Sequence, residues 1–221
     1  MAERDAAELG AGAGDAGASH DMRRRYQILE AARRRLEHYG YEKTTMAEIA
    51  AAAGLAVGTL YVNFRNKEDL LAAFGEECQE EYLRGLQRIA RSKLDPAQRL
   101  RELARLRVLA SKRQMEATPH GGDILLRLMR MGHACCARRS ERERRMVEQI
   151  LRDGIARGEF DVTDPAETAR VFLTAFAGLM PPASLGRPKG EVEREAEALY
   201  GLLLRGLQPG RAQAAAAGGH R

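Results

Sequence analysis

The sequence predicts an all-α protein of about nine helices. Apolar residues recur along it at i, i+3 and i+4, helix-capping signals stand ahead of those stripes, and β-branched runs are rare. Charged residues make up 30% of the 221 and aromatics 5%, with no Trp, which is the composition of packed amphipathic helices. The expected division is a tail at 1–20, a small basic three-helix domain at 21–67, a larger helical domain at 68–208 and a second tail at 209–221.

The small domain is the most legible. Asp21 is a candidate cap for the first helix, whose buried side is marked by Ile28, Leu29, Ala32, Leu36 and Tyr39 and which ends at Gly40. Thr45 precedes an apolar run and Glu48 follows it by three, a capping box: the Thr hydroxyl accepts from the N3 amide while the Glu reaches back. Met46, Ile49, Ala50 and Ala53 then share one face, and Gly54 supplies the left-handed stop. The next helix, from Val57 to Phe64, has room for only two turns. It turns Leu60 and Phe64 to one side and leaves Gly58, Thr59, Tyr61, Val62 and Asn63 outward. Small and polar residues around an exposed aromatic suit the floor of a DNA major groove, where bulk would hold the helix off the bases. Asn66 caps the following helix, whose apolar stripe runs from Leu70 to Ile89.

Charge points the same way. Between Met22 and Lys67 stand nine basic residues against four acidic ones, an excess equal to the whole chain's net charge of +5. A basic segment on a balanced body selects an anionic partner for that segment.

The run from Gly40 to Leu70 resembles the DNA-binding domain of the tetracycline-repressor (TetR) family of bacterial transcriptional regulators. The matching elements are Gly40-Tyr41, Thr44-Thr45, Ile49-Ala50, Ala53-Gly54, Gly58-Thr59-Leu60-Tyr61, Phe64 and Lys67-Glu68-Asp69-Leu70. The resemblance implies a homodimer on a pseudo-palindromic double-stranded operator, usually as a repressor released by a small-molecule effector. It implies phosphate contacts from Thr45, Tyr61 and Lys67, and base-edge contacts from Val57, Gly58, Thr59 and Val62. Asn63 stands where the family often carries His or Tyr, so its contact is a base or a phosphate. Arg23, near the start of the first helix, is either a phosphate contact or part of a solvated basic face. Ala56 stands where a capping Ser or Thr is common.

The larger domain reads as helices starting at Asp95-Pro96, Asp123 and Asp164-Pro165, with a last one over Glu191–Leu207. Another, containing Met146, Ile150 and Ile155, closes at Gly158. By the family's layout, the helices at Pro165–Met180 and Glu191–Leu207 pair with their symmetry mates. The candidate effector lining is Met129, Met131, His133, Phe172, Phe176 and Met180, which combines thioethers, aromatic faces and one polar handle. An alternative is a metal- or redox-sensing regulator using His133, Cys135 and Cys136. Only His133 and Cys136 share a helix face, however, and adjacent cysteines point about 100° apart. No metal or cofactor is expected.

An enzyme is not expected. GxSxG, P-loop, dinucleotide and HExxH patterns are absent, and the five histidines have no evident nucleophile or carboxylate pairing. The absence of a long apolar run and of a secretory signal, together with an odd count of three cysteines, leads to the expectation of a cytoplasmic protein.

Overall fold

The computed structural model describes residues 11–116, 118–131 and 133–210. Among these are nine α-helices and no strand: α1 (Ala11–Tyr39), α2 (Met46–Ala52), α3 (Val57–Asn63), α4 (Lys67–Ala90), α5 (Pro96–Glu116), α6 (Gly121–Met131), α7 (His133–Ala156), α8 (Pro165–Ala175) and α9 (Lys189–Leu207). A 3-10 turn, Ala177–Leu179, follows α8. No single helix is long and apolar enough to cross a membrane.

Two compact units form. One joins Met1–Gly75 with Thr118–Leu128; the other joins Glu76–Ala117 with Met129–Arg221. The division therefore falls inside α4 and α6, not at the expected boundary of 67/68. The reason is local packing. Leu70, Leu71 and Phe74 of α4 are buried with the first unit, and the segment 118–128 docks onto it at two glycines. A methyl on Gly40 would meet the His120 ring at 2.9 Å, and one on Gly75 would meet Leu128 at 2.5 Å. Both lack of side chain and docking neighbour are needed together for this approach.

In the first unit α1 packs on α2 and α2 on α3. The shared core is Ile28, Leu36, Ile49, Ala50, Leu60 and Phe64, each at most 1% exposed. The capping box forms as the sequence expects: the Glu48 amide donates to Thr45 Oγ1 (3.2 Å) and the Thr45 amide to Glu48 Oε2 (2.8 Å). Asn66 Oδ1 accepts from the Asp69 amide at 2.7 Å. Gly54 sits at φ +68 and lets the Leu55 amide return to the Ala50 carbonyl.

In the second unit α5 packs on α9 and α7, and α7 packs on α8. Leu83 and Leu86 of α4 join Leu100, Leu103, Val108, Ile150, Phe172 and Val192 in one core. Tyr200 closes it from α9, its phenol donating to the Ala97 carbonyl at 2.6 Å; burial pushes that phenol up to about 12.

Three boundaries differ from the sequence expectation. Helix α1 begins at Ala11, ten residues ahead of Asp21, so Asp21 lies inside the helix and not at its N-cap. Helix α6 begins at Gly121, which puts Asp123 inside the first turn, where its charge still favours the helix N-terminus. Helix α8 stops at Ala175, short of Met180. The Pro181 ring would collide with the carbonyl of Ala177, and a residue before proline is driven out of the α region; Met180 accordingly lies at φ −104, ψ 159.

Gly54→Ala is expected to destabilise the protein by roughly 1–2 kcal/mol in urea titrations. Nothing stands within 4 Å of the added methyl, so only the left-handed backbone opposes it. Gly54→Asn should recover part of the loss. A second test concerns acid. The Thr45 backbone, and then the Thr45 hydroxyl, hold the Glu48 carboxyl below its usual range. That stabilisation is present above the ordinary carboxylate pKa and is lost as pH falls through the lowered one. Thr45→Ala should lower Tm at neutral pH, and part of the deficit should vanish in acid; a deficit constant with pH would contradict the capping geometry.

Candidate nucleic-acid interface

Helix α3 is seven residues long and has one buried side. Leu60 (0% exposed) and the C-cap residue Phe64 (1%) anchor it, and the Arg25 guanidinium lies 4.5 Å over the Phe64 ring. Its other side carries large apolar groups in solvent: Val57 at 40%, Tyr61 at 50% and Val62 at 87% exposed. Gly58 lies between them with open space where a Cβ would stand. An apolar, shallow, convex face on so short a helix has no role in the chain's own core.

The remaining site residues fall around this face with different freedoms. Thr59 and Asn63 are half-buried, and Asn63 Nδ2 donates to the Thr59 carbonyl at 2.9 Å, folded back along the helix. Thr45 is exposed, but its hydroxyl is engaged with Glu48, donating to Oε2 at 2.9 Å while accepting from the amide. Arg35 in turn binds Glu48 Oε1 at 2.7 Å. Arg23 is exposed on α1. Ala56 is the N-cap of α3 and makes no side-chain cap, so the first amides of α3 keep donors without a side-chain acceptor.

Lys67 is the least expected. Its ammonium donates to the carbonyls of Tyr41 and Thr44 (2.7 Å to the latter) and stands 3.9 Å over the Tyr41 ring. An ammonium has three donors; two hold the α1–α2 connection, which leaves one. The Tyr41 ring is also covered by Arg127 of α6 at 4.0 Å, and its hydroxyl donates to Glu68 Oε1 at 2.6 Å. Burial first, and this hydrogen bond second, push the phenol up to about 12, while the Tyr41 hydroxyl holds the Glu68 carboxyl below its usual range. Arg127 also pairs with Glu42. Tyr41 is part of the sequence resemblance, but Arg127, about ninety residues away, carries no local signal that would join it to this cluster. Gln27 was likewise illegible: its Nε2 donates to the Ala53 carbonyl at 2.6 Å and ties α1 to the end of α2.

The expected effector lining is dispersed. Phe172 and Phe176 pack against each other with centroids 5.3 Å apart, and both are core residues. Met180 is half-buried, whereas Met129 (37%) and Met131 (40%) are exposed. The side chains of His133, Cys135 and Cys136 lie outside the described residues; among those described, no group of three or more His, Cys, Asp or Glu is placed to hold a metal. A cleft of about 370 Å³ opens elsewhere in the second unit, lined from α5, α7 and α8 with Arg107, Glu143, Arg144, Arg170 and Leu173 among its walls.

Comparison with known proteins bears on both units. Residues 28–74 match the bacterial regulatory proteins of the tetR family, and residues 96–199 match the tetracyclin repressor-like C-terminal domain. A transcriptional repressor of Mycobacterium tuberculosis is 39% identical over 61 residues, 28% of this chain and 33% of that protein, so the chain spans about a third of that relative's length. The HTH-type transcriptional regulator YhgD of Bacillus subtilis is 26% identical over 188 residues, 83% of this chain and 96% of that protein. The crystal structure of a transcriptional regulator from Cytophaga hutchinsonii superposes with a TM-score of 0.68 at 23% identity, covering 82% of this chain and 97% of its own, a likeness of fold. Two short helices, the second with an apolar face turned outward, are, in this setting, a helix-turn-helix, and the chain belongs to the TetR family of bacterial transcriptional regulators.

Proposed function

We infer that this DNA-binding regulator acts as a homodimeric repressor that reads a pseudo-palindromic operator through α3 and leaves it when a small molecule binds the second unit. The observation that carries the reading is the outward face of α3, where Val57, Tyr61 and Val62 surround the open Gly58. Methyl groups of Val57 and Val62 suit thymine methyls, and the Tyr61 hydroxyl suits a phosphate oxygen. The third donor of Lys67 and the uncapped amides at the start of α3 supply further phosphate contacts. One such helix per chain reads too few bases to specify a site, so two copies would dock roughly 34–36 Å apart. Helix α4 contributes Lys67 to one unit and Leu86 to the other, and is the covalent element through which an effector would act.

Two tests follow from this geometry. Gly58→Ala should stabilise the fold by about 0.5–1 kcal/mol, since Ala is the better helix former and the added methyl meets nothing. The same methyl stands on the proposed groove face, so operator affinity measured by fluorescence anisotropy should fall while stability rises. Unchanged affinity would exclude α3 as the reading helix. Tyr61→Phe should weaken all sequences alike and lower the salt slope by about 1, with Tm unchanged. Lys67→Ala would be a poorer probe, because it also releases two backbone carbonyls.

For assembly, Leu202 of α9 is 60% exposed and Val171 of α8 is 48% exposed, whereas Leu199 and Leu203 pack against the core. Leu202→Arg should therefore leave the monomer folded by circular dichroism. Sedimentation should show loss of the dimer, with loss of tight operator binding. A stable dimer would place the interface elsewhere.

A further inference from the structure

Helix α3 is built without most of the groups that read base edges by hydrogen bonding. Guanine is recognised by paired donors from Arg or Lys, adenine by the amide of Asn or Gln, and cytosine by a carboxylate. From Val57 to Asn63 the chain is Val-Gly-Thr-Leu-Tyr-Val-Asn, with no Arg, Lys, Gln, Asp or Glu. Its one amide, on Asn63, is half-buried, and the Nδ2 group is already engaged by the Thr59 carbonyl at 2.9 Å. The Thr59 hydroxyl is half-buried too, and a hydroxyl serves any base and so discriminates none. Arg65 lies past the C-cap residue Phe64, beyond the end of the helix.

What the face does offer is methyl groups. Val57 is 40% exposed and Val62 is 87% exposed. Val62 stands one turn beyond Gly58 on the same side of the helix, and nothing lies within 4 Å of the place where a Gly58 Cβ would stand. The two isopropyl groups thus border a shallow floor that a flat base edge can approach. The C5 methyl of a pyrimidine is the one apolar group on the major-groove edges. Burying one methyl against valine is worth about fourfold in affinity. Valine has neither donor nor acceptor, so it does not tell the O4 of thymine from the N4 amino group of cytosine. Such a face reads the methyl and not the base that carries it. The same methyl, in the same place, is presented by 5-methylcytosine.

We propose that α3 recognises the C5 methyl of a pyrimidine through Val62 and Val57, so that thymine and 5-methylcytosine are accepted at one position and unmodified cytosine is rejected. Operator binding then responds to cytosine methylation as well as to sequence. The inference rests on the reading above that α3 lies in the major groove, and names the chemistry it selects there.

The probe is the duplex that the purified full chain selects from a randomised library, titrated by fluorescence anisotropy with base analogues in place. Replacing thymine by deoxyuridine removes only the methyl, and should weaken binding about fourfold at one or more positions of each half-site. At such a position a 5-methylcytosine·guanine pair should bind as the thymine·adenine pair does. An unmethylated cytosine·guanine pair there should bind about fourfold more weakly than the methylated one. Val62→Ala or Val57→Ala should level these differences, and Val62→Ala should do so with Tm unchanged, because that side chain is almost wholly in solvent. Replacing guanine by 7-deazaguanine, which lacks the N7 acceptor, should matter less than losing the methyl. Four results overturn the proposal: indifference to deoxyuridine at every thymine, no preference for 5-methylcytosine over cytosine, a methyl effect that survives both valine substitutions, or a stronger dependence on guanine N7 than on the methyls. A selected site that is lost in Gly58→Ala but ignores the methyls leaves α3 as the reading helix and removes this inference alone. Failure to select any sequence removes both.

Discussion

The Lys67 ammonium is the group on which the DNA-binding unit depends. Gly40 ends α1 in the left-handed region, and the chain must then cross to α2 without regular backbone pairing. The carbonyls of Tyr41 and Thr44, exposed by that crossing, converge on one charged donor from the first turn of α4. The buried Thr44 hydroxyl closes the same connection by donating to the Gly40 carbonyl at 2.7 Å. With the Tyr41 ring held between two cations, α1, α2 and α4 are fixed relative to one another within the unit, and α3 needs only Leu60 and Phe64 to complete it. That economy leaves the rest of α3 available to face outward.

Such a use of charge recurs in the second unit with a different outcome. Arg99 is nearly buried, and one of its nitrogens reaches both Asp153 (2.8 Å) and the Ala90 carbonyl (3.0 Å), so it joins α5, α7 and the end of α4. A partnered buried cation of this kind contributes geometry, and neutralising its partner would be costly. The cluster of Arg107, Arg139 and Glu143 differs in that one buried carboxylate faces two guanidinium groups.

Most signals that lie within about four residues appear in the structure as the sequence reads them, Asp21 and Asp123 excepted, which fall inside their helices. The Thr45–Glu48 capping box, the Asn66 cap, the Asp164 cap with Pro165 after it, and the left-handed stops at Gly54 and Gly158 all form as expected. The outward face of α3 was legible for the same reason, since helical period alone separates Leu60 and Phe64 from Val57, Tyr61 and Val62. The proposed lining of Met129, Met131, Phe172, Phe176 and Met180 was drawn from side-chain type, and type does not say whether an apolar residue fills a core or borders a cavity. Phe172 and Phe176 fill the core.

The sequence by itself therefore determined helix identity, most helix ends, the buried stripes and the outward face of α3, because each of these follows from spacing along one helix or from one turn's hydrogen bonds. Only the tertiary structure decided that Lys67 serves two backbone carbonyls, that residues 118–128 belong with the DNA-binding unit, and that Arg107, Arg139, Glu143 and Tyr82 meet inside the second unit. Those facts depend on which faces of distant helices approach, and on glycines such as Gly40 and Gly75 whose missing side chains permit it. Contacts across seventy or eighty residues leave no periodicity in the chain that makes them.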